Sequence, residues 1–145
     1  MSILIKGGRL IDPENKIDAK LDILIEGNKI SKIAKNIQAQ EATLIDASNK
    51  IVAPGIIDMH AHLREPGRED KETVATATLA AAKGGVTTVL AMPNTQPAMD
   101  CSENVRLLQE IINKDAKVNV LICGTITKGR LGNELSDIAA LKKSG

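Results

Sequence analysis

The sequence predicts an α/β fold in two parts: a small β-rich region over residues 1–50, then three strand–helix units of a parallel sheet over residues 51–145. Two observations carry this. Short apolar segments split by polar turn formers fill the first part. After Ile51, near-continuous apolar strands alternate with longer stretches of helical pattern.

Within residues 1–50, "ILIKGGRLI" (Ile3–Ile11) is β-forming and stops at the turn signal "DPEN" (Asp12–Asn15). "DILIEGNKISKI" (Asp22–Ile33) reads as two β segments about the turn "EGNK", and "ATLIDASNKIVAPG" adds two more. Beyond Ile51, "IVAPGIIDMHAH" is an apolar strand with a polar end. "KETVATATLAAAK" (Lys71–Lys83) predicts a helix that stops at Gly84–Gly85. "VTTVLAM" (Val86–Met92) is the second strand. "DCSENVRLLQEIINKD" predicts a second helix, opened by a D-x-x-E capping box of Asp100 and Glu103, with Val105, Leu108 and Ile112 on its apolar face. "VNVLICG" (Val118–Gly124) is the third strand, and "NELSDIAALKKSG" begins a third helix.

Three such units are under half of an eight-unit barrel, so the sequence reads as the opening of a larger fold interrupted at Gly145. Three strands do not close a barrel. The 145 residues alone are therefore expected to fold poorly, with an open parallel edge and one uncovered sheet face.

Composition narrows the function classes. With 19 Lys and Arg against 18 Asp and Glu, the net charge of +1 gives no basic footprint for nucleic acid. No apolar run reaches the roughly 18–20 residues of a membrane helix, and "MSILIKGGRL" lacks the regions of a signal peptide. Cys101 and Cys123 form neither a C-x-x-C nor a zinc-knuckle spacing, which predicts free thiols in a reduced, cytoplasmic setting. The chain has no Phe, Trp or Tyr, so Ile, Leu, Val, Ala and Met must fill its core.

The chemistry gathers in "GIIDMHAHLREPGRED" (Gly55–Asp70), which holds both histidines. Strand alternation predicts that Asp58, His60 and His62 share one face, at the C-terminal end where α/β barrels collect reactive groups. Two imidazoles in H-x-H spacing suit one zinc ion at Zn–N distances of roughly 2.0–2.1 Å. H-x-H alone also describes two ordinary histidines, but Asp58 and the strand-end position favour ligands. Asp58 is then a carboxylate that orients an imidazole.

Arg64 offers a planar fork for a carboxylate; its plainer alternative is a surface arginine paired to Glu65, Glu69 or Asp70. Asn94, just past Met92–Pro93, is placed to reach the same cavity, or else is a turn former beside proline. "TITKGRLGNE" (Thr125–Glu134) matches no phosphate-binding pattern and reads as a solvated loop. No Ser, Cys or His forms a nucleophile–base pair.

"PGIIDMHAHLREPG" and "MPNT", with "GGRLIDP", "DILIEGNKISKI", "AAAKGGVTTV" and "GTITKGR", make the chain resemble the dihydroorotases of the cyclic amidohydrolase superfamily along essentially its whole length. The resemblance implies part of a β-sandwich over residues 1–50, followed over 51–145 by the first three βα units of a metal-dependent (β/α)8 (TIM) barrel. It implies the reversible interconversion of N-carbamoyl-L-aspartate and L-dihydroorotate in pyrimidine synthesis. His60 and His62 match the family's first-strand zinc ligands, and Arg64 and Asn94 match the residues that hold the substrate's α-carboxylate.

One or two zinc ions are implied, the second needing ligands absent here. The family's general acid/base also lies on a later strand, beyond Gly145, so no catalytic acid or base is expected within these residues and the 145 residues alone are expected to be inactive. The implied partners are the small-molecule substrate, a second copy in a homo-oligomer, or aspartate carbamoyltransferase. Two alternatives stand beside this: a hydantoinase or allantoinase, which shares D-x-H-x-H, and a non-catalytic shortened relative acting as an assembly partner. Arg64 weighs against a plain hydantoin, which has no carboxylate to offer it.

Overall fold

The computed structural model describes residues 1–145 and resolves the chain into two compact units, Met1–Pro54 and Gly55–Gly145. The fold is mixed α/β, with three sheets and three α-helices.

The first unit is all β: β1 (Ser2–Lys6), β2 (Arg9–Asp12), β3 (Ile17–Lys20), β4 (Asp22–Glu26), β5 (Lys29–Ala34), β6 (Thr43–Asp46) and β7 (Ile51–Val52). One sheet has the order β5-β4-β1-β6, with β6 parallel to β1 and the other pairs antiparallel; the second has the order β3-β2-β7. Leu4, Leu10, Ile23, Ile37 and Ala47 are its buried apolar residues.

The β-forming stretch Ile3–Ile11 breaks at Gly7, whose φ of +80° suits glycine. The Gly7 amide leaves the ladder to donate to the Asp22 carboxylate (2.9 Å). Gly8 passes so near β7 that an added Cβ would lie 2.7 Å from Val52 Cγ2. The apolar run from Ile51 is also divided. Ile51–Val52 pairs with β2, and the chain starts afresh after Pro54, which has no amide hydrogen to continue a ladder.

The second unit runs β8 (Ile56–Ala61), α1 (Val74–Lys83), β9 (Val86–Ala91), α2 (Ser102–Asp115), β10 (Asn119–Ile122) and α3 (Ile138–Ser144). Its three strands are parallel and lie side by side in chain order. Such sequential winding differs from a doubly wound sheet, where strand order reverses and helices cover both faces. A single core takes in all three helices: Val74 of α1, Val105, Leu108 and Ile112 of α2 and Leu141 of α3 meet Val89 and Ala91 of β9, together with Leu63 and Met99. Away from that core, Ile57 and Met59 of β8 and Leu121 of β10 stay 59%, 69% and 58% exposed.

The helix ends follow from local chemistry, with one departure. Thr73 and Thr76 cap α1 reciprocally, and Gly84 closes it before Gly85 turns at φ +81°. At α2 the expected capping box of Asp100 and Glu103 does not form: Cys101 is the N-cap and gives no side-chain bond. The Asp100 carboxylate is engaged elsewhere, taking the Gly129 amide (2.7 Å) and the Asn104 side chain (3.2 Å). A long-range contact has outbid a local one.

Candidate functional site

The three parallel strands finish in step. Ala61 of β8 and Ile122 of β10 both pair with Ala91 of β9, and the ladder continues one residue further through Met92 N–H to Ala61 O (2.8 Å) and Cys123 N–H to Ala91 O (3.0 Å). The residues just past these ends therefore share one rim. On β8 they are His62 and Arg64; on β9, Asn94.

The pairing of β8 with β9 shifts register between Asp58 and Ala61, so the strand that carries Asp58 and His60 is irregular at its end. Within this irregular stretch the Asp58 carboxylate accepts the main-chain amide of His60 (2.9 Å), a local Asx-type bond. Asp58 thus holds the backbone that presents His60, and the bond it makes is to the main chain. The imidazoles of His60 and His62 lie edge to face, with centroids 5.1 Å apart and planes at 72°.

That spacing bears on metal binding. Two imidazoles bound to one tetrahedral zinc at Zn–N distances of roughly 2.0–2.1 Å have ring centres about 5 Å apart. Both histidines are exposed. His62 Nδ1 lies 2.8 Å from Asn94 Oδ1; an amide oxygen only accepts, so in the neutral ring this contact calls for the proton on Nδ1 and leaves the lone pair on Nε2. The pair therefore fits two positions of a zinc shell. No cluster of three His, Cys, Asp or Glu forms, so two positions are all that these residues fill.

Arg64 is half-buried and takes a left-handed backbone, φ +66°. None of the chain's four ion pairs includes it. The carboxylates close to it in sequence are engaged elsewhere. Glu65 accepts the Val74 amide at the start of α1 (2.7 Å), Glu69 the Gly67 amide (2.8 Å), and Asp70 both Arg68 Nε (2.8 Å) and Nη2 (2.9 Å). The Arg68 guanidinium holds the Asp70 carboxyl below its ordinary range, and the Gly67 amide does the same for Glu69. The loop's own carboxylates thus leave the Arg64 fork unmatched.

The loops carrying Arg64 and Asn94 are clamped together, which the sequence did not announce. Gln96 N–H donates to Pro66 O (2.9 Å), and Gly67, at φ +99°, sits where a Cβ would come within 2.2 Å of Gln96 O. Only a glycine lets the two backbones approach this closely. The sequence signal for this clamp is the pair "REPG" and "MPNTQP", the proline-bearing loops that follow β8 and β9.

Elsewhere, "TITKGRLGNE" is a loop with one 3-10 turn (Lys128–Arg130), closed by the Lys128–Glu134 ion pair and a Thr127–Leu135 bridge. Cys101 and Cys123 are both free, and no helix is long and apolar enough to cross a membrane.

The chain is similar to known proteins along its whole length. A family model described as "Dihydro-orotase-like" matches residues 49–145, more than half of the chain. Over all 145 residues the chain is 54% identical to a dihydroorotase of Elusimicrobium minutum (strain Pei191) and 51% to one of Bacillus cereus (strain B4264). It spans about a third (34%) of the length of either. Among solved structures, an L-hydantoinase (dihydropyrimidinase) from Arthrobacter aurescens superposes with a TM-score of 0.80 at 27% identity, covering 89% of this chain and 29% of that one. A D-hydantoinase (dihydropyrimidinase) from Thermus sp. gives 0.77 at 28% identity, covering 97% and 30%. A paired-histidine strand end beside an unmatched arginine, on a chain this similar to proteins of one name, leads to one assignment: the chain belongs to the dihydroorotase-like family.

Proposed function

We propose that these residues are the opening part of a zinc-dependent dihydroorotase, a cytoplasmic cyclic amidohydrolase that interconverts N-carbamoyl-L-aspartate and L-dihydroorotate in pyrimidine synthesis. In this reading residues 1–50 contribute to a β-sandwich and residues 51–145 supply the first three units of a (β/α)8 barrel. Sequential parallel strands sharing one helical core support the barrel.

The observation that carries the proposal is the conjunction at one rim: two imidazoles 5.1 Å apart, with Arg64 outside every ion pair. His60 and His62 would hold the metal, completed by ligands from outside residues 1–145, and Asp58 would keep the His60 backbone in place. When bound, zinc supplies a water acidified to near neutral pH and a polarised amide carbonyl. Arg64 would take the substrate carboxylate bidentately, and the Asn94 amide nitrogen would add a second donor. Fixing the carboxylate in this way orients the ring amide for attack. The general acid/base is assigned to residues outside this segment.

The hydantoinase likeness of the solved structures raises a second reading, with hydantoin as substrate. A plain hydantoin has no carboxylate and would leave the Arg64 fork unused. The deciding experiment gives the full-length protein both compounds. Faster turnover of L-dihydroorotate supports the proposal, and preference for hydantoin overturns it. His60→Ala should lose zinc and turnover together; a variant that keeps both would remove the metal assignment. For the whole protein the reading extends to self-association or assembly with an aspartate carbamoyltransferase, which co-purification of the two would report.

A further inference from the structure

Asn94 also meets a ring nitrogen of His62. Neutral imidazole carries one proton on either of two nitrogens, and the partner of one nitrogen decides what the other presents. Asn94 Oδ1 stands 2.8 Å from His62 Nδ1. We propose that Asn94 is a positioning residue for the metal ligand: its amide oxygen fixes His62 as the Nδ1–H tautomer and sets the ring's orientation, so that Nε2 faces the metal with its lone pair free. This deepens the dihydroorotase reading and rests on it.

The loop around Asn94 is built to hold that oxygen still. Thr95 Oγ1 donates to Pro97 O (2.7 Å), Gln96 N–H to Pro66 O (2.9 Å), and Met99 N–H to Pro93 O (3.3 Å). Met99 itself is completely buried, which anchors the end of the turn in the core. His60 has its backbone fixed by Asp58 (2.9 Å), while His62 has its ring fixed by Asn94. The two ligands are thus secured differently, one through the main chain and one through the side chain. Because the same amide also offers an N–H2 group, Asn94 links the ligand's orientation to the group that meets the substrate.

The test separates these two uses of one side chain. Asn94→Leu keeps the approximate shape but removes both acceptor and donor; Asn94→Asp keeps an oxygen acceptor but removes the donor and adds a charge that repels a carboxylate. Zinc affinity of the full-length protein is measured by chelator competition, alongside KM and kcat for L-dihydroorotate at saturating zinc. Expected is a roughly 10- to 100-fold loss of zinc affinity in Asn94→Leu, near-native affinity in Asn94→Asp, and a raised KM in both.

Native zinc affinity in Asn94→Leu, or an equal loss in both variants, overturns the inference. His60→Ala serves as the control. If it loses zinc while Asn94→Leu does not, the inference fails alone. If neither loses zinc, the metal reading fails with it.

Discussion

The Glu65 carboxylate accepts the amide of Val74 at 2.7 Å, tying the residue next to Arg64 to the first turn of α1. Val74 is fully buried, and a helix N-terminus favours negative charge. The bond therefore serves the helix and the site at once: it satisfies an otherwise orphaned amide and removes Glu65 from competition for Arg64. Glu65→Ala should lower the stability of the full-length protein by about 1–2 kcal/mol, and Glu65→Gln, which keeps an acceptor, by less. Denaturant unfolding of both variants gives the comparison. An equal loss in both would mean that the acceptor is not what matters.

Arg64 presents its guanidinium from a left-handed backbone, φ +66°. That region costs a non-glycine residue roughly 1–2 kcal/mol, and strain of this kind gathers where function holds it in place. Alanine at 64 would keep the strain and glycine would relieve it. Arg64→Gly is therefore expected to be more stable than Arg64→Ala by about 1 kcal/mol, while both lose tight binding of a carboxylate substrate. Thermal unfolding and KM for L-dihydroorotate, measured on the pair, test the two halves. If the alanine variant proves the more stable, the backbone at 64 is not strained.

How far the sequence reached can be read residue by residue. The helical spacing of Val105, Leu108 and Ile112 found the three residues that α2 buries, because amphipathic periodicity is a local signal tied to one core face. β3, "IDAK", went unseen: Ile17 and Ala19 alternate with Asp18 and Lys20, but over four residues the alternation is too short to stand out, and the strand is set by its pairing with β2.

At the site, His60, His62, Arg64 and Asn94 were all legible as polar residues at strand ends. Their couplings were not. The register of β8 against β9 shifts past Asp58, and the Asp58 carboxylate bonds the His60 main chain, neither of which alternation foretells. The contact of His62 with Asn94 spans 32 residues, a separation over which only the fold, and no spacing rule, brings two side chains together.

The carboxylates of the loop after β8 set its acid limit. The Glu69 carboxyl is held below its ordinary value of 4.5, chiefly by the Gly67 amide, and that of Asp70 below 3.8, chiefly by Arg68. Depressed folded-state values mean that each contribution is complete above the ordinary value and is lost only as pH falls through the lowered one. Both groups are fully exposed, so the effect is local. Protection of the Gly67 amide, corrected for intrinsic exchange, should stay level from neutrality to about pH 4.5 and decline below it. Glu69→Gln should flatten that decline. Loss of protection already at pH 6 would point to another group.

Thr78 offers the sharpest test of how α1 is joined to β10. Its side chain is fully buried. The hydroxyl donates to Val74 O one turn back (2.6 Å) and accepts the amide of Lys117 (3.0 Å), 39 residues away at the approach to β10. The oxygen is thus the acceptor for an amide in a part-buried place, where an unmet donor costs more than a bond returns. Thr78→Val keeps the branching and replaces the hydroxyl with a methyl, so it removes both the acceptor for the Lys117 amide and the donor to Val74 O. A loss of about 1–3 kcal/mol is expected, whereas Thr78→Ser, which keeps the oxygen and gives up a methyl, should lose about 1 kcal/mol. If valine is tolerated better than serine, cavity formation outweighs the hydrogen bond, and α1 is held to the strand by packing alone.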